Sequence, residues 1–138
     1  MPMTDEDIAM VRESFAHLHR HRDATTKLFY DRLFEIAPDV RRLFKDDLTA
    51  QRHKLMEFLA VAMATLRDPA GLSLLLRKLG RMHSGLGVEE RHFDDLRGAL
   101  FWTLKTSLGT AFTPSLDRAW ASLYEIMSRE MIAALRAP

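Results

Sequence analysis

The sequence contains no cysteine, which excludes disulfide bridges, thiolate metal ligands and a cysteine nucleophile. It also has no excess of charge of one sign. Its 20 basic and 19 acidic side chains are interspersed, so no broad face for nucleic acid or anionic lipid is indicated. No hydrophobic run approaches the length of a membrane span, and the N-terminus is acidic where a secretory signal would be basic. We therefore expect a soluble cytoplasmic protein with no nucleic acid and no membrane among its partners.

The apolar content of the chain is sufficient for one core. The 138 residues are 47% hydrophobic, enough for a substantial single domain but not for an additional catalytic domain. No internal repeat, low-complexity tract or linker divides the sequence. We therefore expect residues 1–138 to form a single domain.

Apolar residues recur at helical spacing through nearly the whole chain. A first amphipathic helix follows Thr4, a predicted N-cap, and a second runs from about Asp23 to Ile36. Later helices are predicted from Pro38 to Phe44, from Thr49 to Leu66, between Pro69 and the glycines after His83, from the turn at Val88 to Gly109, and from Pro114 onward. About seven to eight helices and no convincing strand predict an all-α domain with irregular, orthogonal packing.

One histidine stands among apolar residues. In the stretch LGRMHSGLGV (79–88), Met82 follows Leu79 by three residues and His83 follows it by four, which assigns all three to the apolar face of a helix that the next glycines end. His92, at the start of the next helix, is expected to be half-buried. A zinc site is not indicated, because the sequence has no HExxH motif. Taken alone, His83 is explained by a hydrogen bond to a backbone carbonyl.

Four residues on other helices favour a second interpretation of His83. Gln51 and Leu55 lie one turn apart, Tyr30 belongs to the second predicted helix, and Phe44 ends the third. Together they would form a pocket with an amide, a phenol, an aromatic lid and an imidazole. This combination suits a planar cofactor with a central metal, one strong axial ligand below it, and hydrogen-bond donors above it for a diatomic ligand.

The joint spacing of these residues resembles that of globins over essentially the whole chain. The run LFYDRLFEIAPDVRRLF (28–44) is similar to the globin passage into the haem pocket. The segments LGRMHSGLGV, LGTAFTPSLDRAWASLY and IMSREM resemble those of neuroglobins. The chain is also similar to single-domain bacterial globins, which are related to the globin portion of flavohaemoglobins. The resemblance implies a globin fold around a pocket for haem b, iron protoporphyrin IX. It also implies a monomer or a weak homodimer.

This resemblance also implies roles for individual residues. His83 corresponds to the proximal ligand of the haem iron, and Phe44 to the ring that packs on the porphyrin. Leu55 corresponds to the apolar side chain beside the bound gas. Further contacts to the cofactor are expected from Leu79, Val88 and Phe93. Lys54 is expected at the pocket rim, where it either pairs with a haem propionate or is merely solvated.

Two positions depart from the neuroglobin pattern. Gln51 stands where neuroglobins have the distal histidine, and Tyr30 where they have phenylalanine. Because an amide is a very poor ligand for haem iron, we expect the sixth position to be open or water-bound. The amide and the phenol can each donate a hydrogen bond of about 0.5–1.5 kcal/mol to bound dioxygen, which slows its escape. The alternative is that His53 becomes the sixth ligand. Helical spacing directs His53 away from the side of Gln51, but a rotated helix would bring it to the iron.

The leading functional hypothesis is reversible binding of dioxygen, nitric oxide and carbon monoxide, for oxygen storage, delivery or scavenging. The alternative is a nitric oxide dioxygenase that depends on a separate reductase. Flavohaemoglobin-type globins orient the proximal histidine with a tyrosine and a glutamate, and the corresponding residues here are Phe93 and Leu135. Their apolar character favours reversible binding over peroxidase-like chemistry. A haem-free or haem-sensing regulatory module of globin fold is the third hypothesis.

Overall fold

The computed structural model describes residues 3–136, which are helical almost throughout and include no strand. The prediction of an all-α fold is therefore confirmed. The α-helices are α1 (Asp5–Arg20), α2 (Arg22–Ile36), α3 (Thr49–Thr65), α4 (Pro69–His83), α5 (His92–Leu108) and α6 (Pro114–Arg136); 3₁₀ segments cover Pro38–Leu43 and Gly109–Ala111. Within residues 3–136, no helix has both the length and the hydropathy needed to cross a bilayer.

Side chains that satisfy free backbone groups fix where three of the helices begin. Thr4 caps α1 in a reciprocal arrangement with Asp7, since each side chain accepts the other residue's backbone N–H at 3.0 Å. Asp68 accepts the N–H of Gly71 at the start of α4, and Thr113 accepts that of Leu116 at the start of α6. Both of these helices have proline at their first position, where the missing N–H costs nothing.

The larger part of the core surrounds Trp120, which is fully buried. Its indole Nε1 donates to Ser14 Oγ at 2.9 Å, and Ser14 in turn donates to the carbonyl of Val11 at 2.8 Å. This chain of hydrogen bonds ties α6 to α1. A smaller apolar cluster joins α2, the first 3₁₀ segment and α5, with Phe29 and Ala99 among its members.

Helix α4 approaches α6 closely because a glycine lies at their contact. A Cβ atom on Gly80 would stand 2.7 Å from both the Cβ of Ala134 and the carbonyl oxygen of Met131, a distance that real Cβ contacts do not reach. Gly80 is three residues before His83 on the same helix. The close contact between α4 and α6 therefore also sets the position of that histidine.

The prediction that Met82 shares the apolar face of α4 is wrong, since Met82 is 63% exposed. The buried face of α4 consists of Leu72, Leu76 and Gly80, which recur every four residues. Met82 precedes His83 by one residue, about 100° of helix, and this side of the last turn faces solvent. The spacing of the leucines therefore predicted the buried face in the middle of α4 but not at its last turn.

Substituting alanine at two mid-helix glycines should change stability in opposite directions. Gly98→Ala should stabilise the protein by about 0.5–1 kcal/mol, because its nearest neighbour, Ile36 Cδ1, is 3.5 Å from the added Cβ. Gly80→Ala should destabilise it by about 1–3 kcal/mol, because the added methyl meets the backbone of α6. Urea unfolding of the purified variants measures both free energies. A Gly80→Ala variant as stable as Gly98→Ala would contradict the close contact between α4 and α6.

Candidate functional site

A largely apolar cavity of about 430 Å³ is lined by side chains of all six α-helices and of the segments after α2 and α4, and its volume is within the size range of small-molecule and cofactor sites. Its walls include every residue that the sequence singled out as a candidate for the site: Tyr30, Phe44, Gln51, Lys54, Leu55, Leu79, His83, Val88 and Phe93. A second depression of the same volume, between α5 and α6, is lined by charged side chains and shares only Phe93 with this set.

The half-buried imidazole of His83 has a defined orientation and tautomer. Its Nδ1 lies 2.7 Å from the carbonyl oxygen of Leu79. Because a carbonyl oxygen only accepts hydrogen bonds, Nδ1 carries the ring proton and Nε2 carries a lone pair. Metal-binding histidines commonly hold their second ring nitrogen in this way. The ring is thus prepared to donate a nitrogen lone pair at the wall of the cavity.

The turn after His83 depends on glycine at two positions. Gly85 and Gly87 have φ angles of 83° and 87°, in the left-handed region that side chains with a Cβ rarely adopt. At Gly87 an added Cβ would also lie 3.2 Å from the side chain of Leu43. The glycines therefore let the chain reverse directly after His83 and pass close to the first 3₁₀ segment.

A hydrogen-bonded pair of polar side chains lies at the junction of α2 and α3. Gln51 Nε2 donates to the hydroxyl oxygen of Tyr30 at 3.1 Å. Tyr30 is only 3% exposed. Burial raises the pKa of Tyr30 to about 12, and the hydrogen bond from Gln51 offsets part of that rise. The phenol is therefore neutral at physiological pH, and its own O–H remains available as a donor.

Phe44 is held in a cluster of aromatic rings. It makes edge-to-face contacts with Tyr30 and Phe34, at ring-centroid distances of 5.7 and 5.6 Å. The loop that begins at Phe44 is held by Arg41, whose guanidinium donates to the carbonyls of Lys45 and Asp46 and lies over the ring of Phe34. Phe44, which the sequence predicts to be the aromatic lid, is thus held by ring packing, and its loop is held by the Arg41 guanidinium.

His53 lies outside the cavity, as helical spacing predicted. Its side chain is 70% exposed, and Nε2 lies 2.8 Å from Glu57 Oε1, one turn further along α3. Bringing His53 to the cavity would turn the partly buried Leu55 and the buried Met56 away from the core. The geometry of α3 thus opposes the alternative in which His53 becomes an axial ligand.

His92 is more deeply placed than expected, because it is 4% exposed rather than half-buried. Its Nδ1 accepts the backbone N–H of Glu89 at 2.9 Å, which assigns the ring proton to Nε2. That Nε2 has no hydrogen-bond partner within residues 3–136, although the ring lines the cavity. A histidine followed by phenylalanine at a helix start was the only sequence signal for this burial.

Among residues 3–136, no carboxylate forms a hydrogen bond or an ion pair with His83. Phe93 and the half-buried Leu135 are apolar, as the sequence indicates, and the proton acceptor for His83 is a neutral carbonyl. Tyr124, which the sequence analysis did not single out, also lines the cavity and donates its hydroxyl proton to the carbonyl of Phe93. Burial, reinforced by the nearby Asp94 carboxylate, raises the pKa of Tyr124.

The donor groups of the cavity fit a metal that is carried by an organic cofactor. Residues 3–136 contain no group of three or more histidine, aspartate or glutamate side chains able to hold a bare metal ion. One imidazole lone pair in apolar surroundings instead suits a macrocycle that supplies the other ligands. The apolar walls match such a ring.

Comparison with known families shows a match over most of the chain. The sequence model of the Globin family matches residues 27–131. A neuroglobin of Chaenocephalus aceratus is 29% identical, over 94% of this chain and 90% of that protein. A flavohemoprotein of Bordetella pertussis is also 29% identical, over 98% of this chain and 34% of that protein. The chain therefore spans about one third of the flavohemoprotein it matches.

Two solved structures have a similar fold. The hexacoordinated heme protein of an anhydrobiotic tardigrade, crystallised at pH 4, superposes with a TM-score of 0.88 over 99% of this chain and 97% of that one, at 19% identity. At that identity the likeness shows the fold alone. The engineered carbene transferase RmaNOD, a proposed nitric oxide dioxygenase from Rhodothermus marinus, superposes with a TM-score of 0.83 over 96% and 93% of the chains, at 26% identity.

The two tyrosines should resist ionisation at alkaline pH. Because burial raises the pKa of Tyr30 to about 12 and also raises that of Tyr124, neither phenol should ionise near pH 10 while the protein is folded. The unfolded chain ionises first, so the stability that both groups contribute is lost as the pH rises above 10. Absorbance at 295 nm, with the Tyr30→Phe/Tyr124→Phe variant as baseline, follows the ionisation. A phenolate signal with a midpoint near pH 10 in folded protein would contradict this burial.

Proposed function

The chain belongs to the globin family, haem proteins that bind diatomic gases, and from this premise we propose that it binds dioxygen reversibly, along with nitric oxide and carbon monoxide. The supporting observation is the Gln51–Tyr30 hydrogen bond at the wall of the apolar cavity that His83 also lines. Oxygen storage, delivery or scavenging in the cytoplasm follows as the physiological role.

His83 is the residue that would hold the cofactor, which we propose to be haem b. Its Nε2 lone pair is directed by the Nδ1 hydrogen bond to Leu79. When bound, haem would supply an iron able to take a diatomic gas. Phe44, Leu55 and the apolar side chains Leu79, Val88 and Phe93 provide the surface against the ring. Lys54, at the exposed rim of the cavity, is the proposed partner of a propionate.

Tyr30 and Gln51 discriminate between gases by hydrogen bonding. The outer atom of bound dioxygen carries partial negative charge, whereas carbon monoxide is a weak acceptor. Tyr30 can donate its O–H to the gas, because its oxygen already accepts from Gln51. The second N–H of the Gln51 amide is also available. Each hydrogen bond is worth about 0.5–1.5 kcal/mol, and more in a dry pocket.

A second candidate is nitric oxide dioxygenase activity, which converts nitric oxide and dioxygen to nitrate and needs one electron per turnover. The likeness to flavohemoproteins and to RmaNOD favours it, and the electron would come from a separate reductase. The neutral carbonyl partner of His83 favours reversible binding instead, since a carboxylate partner would make the imidazole more basic. Sustained nitrate formation with an added reductase distinguishes the two functions.

The identity of the axial ligand is tested by absorption spectra of the haem-loaded protein. The wild type should be five-coordinate in the ferrous state and form a stable oxy spectrum in air. His83→Ala should lose both features, because no other imidazole with a free lone pair lines the cavity within residues 3–136. His53→Ala should match the wild type. A six-coordinate, low-spin ferrous wild type that His53→Ala converts to five-coordinate would refute the open sixth position.

The proposed role of Tyr30 predicts a selective effect on dioxygen. Tyr30→Phe should raise the dissociation rate of dioxygen by about two- to tenfold, which corresponds to the loss of one hydrogen bond. The dissociation rate of carbon monoxide should change much less. Stopped-flow ligand displacement measures both rates, and Tyr124→Phe is the matched control because it removes the other buried phenol. Equal acceleration of both gases would indicate a steric effect of Tyr30 instead.

A further inference from the structure

Arg52, the residue after Gln51, fastens the start of α3 to α2. Its Nε donates to Thr26 Oγ1 at 2.9 Å, and its Nη2 donates to the carbonyl oxygen of Asp23 at 2.5 Å. Thr26 and Asp23 lie four and seven residues before Tyr30, so both are on the face of α2 that carries the phenol. Two adjacent residues of α3 thus bond to one face of α2.

Both acceptors of Arg52 on α2 have an oxygen available to receive a hydrogen bond from its guanidinium. Thr26 is buried, and its hydroxyl donates to the carbonyl of Arg22 at 2.8 Å. Because its proton is used within α2, its oxygen is free to accept from the guanidinium. The planar guanidinium reaches the hydroxyl and the Asp23 carbonyl at once, which a single ammonium group on lysine cannot do in the same geometry.

Apart from the apolar packing of Leu48 and Leu55 on the α2 cluster, few contacts hold the start of α3 against α2. Its N-cap residue, Leu48, makes no side-chain hydrogen bond to the helix. The local support comes from Asp47, which accepts from the backbone and hydroxyl of Thr49, but these contacts stay within the loop and α3. In the described part of the chain, the hydrogen bonds between α2 and α3 come from Gln51 and Arg52.

We infer that Arg52 is a positioning residue for the distal pair, and that its two hydrogen bonds to α2 hold Gln51 within hydrogen-bond distance of Tyr30. The consequence for gas retention rests on the proposed function. When the hydrogen bonds from Arg52 to α2 are lost, the first turn of α3 moves away from α2, and the hydrogen bond from the Gln51 amide to the Tyr30 oxygen breaks. Dioxygen is then held by a phenol that is less well oriented, and escapes faster.

The experiment measures dioxygen dissociation from the ferrous holoprotein in two backgrounds. One is the wild type, and the other carries Tyr30→Phe and Gln51→Leu. Arg52→Ala should raise the rate about three- to tenfold in the first background and leave it within about 1.5-fold in the second, where no pair remains to be positioned. Arg52→Lys should not restore the wild-type rate. Arg67→Ala, which removes an exposed ion pair with Asp5 far from the cavity, should have no effect.

Two results would overturn the inference. One is an unchanged rate in Arg52→Ala, and the other is an equal acceleration in both backgrounds, which would mean that Arg52 supports the fold without acting through the pair. If Arg52→Ala does not fold, Thr26→Val carries the same comparison because it removes the bond to Thr26 Oγ1, and Arg52→Lys does so because it cannot make both bonds at once.

A gas-independent measurement separates this inference from the proposed function. Hydrogen exchange of the wild-type and Arg52→Ala holoproteins should show faster exchange in Arg52→Ala at the start of α3, in peptides spanning residues 45–55, and no change in α6. Unchanged exchange there would overturn the inference even if the protein bound no dioxygen. If the wild type forms no oxy spectrum while Arg52→Ala still exchanges faster than the wild type at the start of α3, the proposed function alone is refuted.

Discussion

The apolar cavity is the constraint on which the rest of the structure depends. Cavities reduce stability because the side chains around them lose packing contacts. The apolar walls of this cavity are surface that the chain does not cover with its own side chains, so an apolar occupant that covers them removes that surface from water. The helices are therefore arranged for an apolar occupant, and its binding stabilises the folded state by mass action.

The two sides of this cavity are organised by different kinds of contact. His83 is oriented by a backbone carbonyl one turn earlier in its own helix, and α4 is fixed against α6 by the close approach at Gly80. This side is rigid because helix backbone defines it. Tyr30 and Gln51 instead come from separate helices, and side chains alone join them. The distal geometry is therefore the part of the site that single substitutions can most readily change.

The sequence predicted the helices because they depend on local periodicity, whereas the resemblance to globins implied which residues line the cavity. Thr4 and the Thr113-Pro114 pair mark helix starts by their own chemistry, and the spacing of Gln51 and Leu55 determines a shared helix face. Contacts between distant segments were not predictable in this way. The burial of His92, the bond from Tyr124 to the Phe93 carbonyl and the Arg52 contacts arise only where separate segments meet.

The hydrogen bond between Gln51 and Tyr30 makes the two donors unequal. Because the phenol oxygen accepts from the amide, its own proton is polarised and becomes a stronger donor, as in other hydrogen-bond chains of low dielectric surroundings. Burial keeps that proton on the oxygen. In the proposed function, the amide therefore contributes to gas binding partly through the phenol, and substitutions at the two positions are not additive. Gas selectivity on this proposal depends on the separation of α2 and α3 as much as on the identity of either residue.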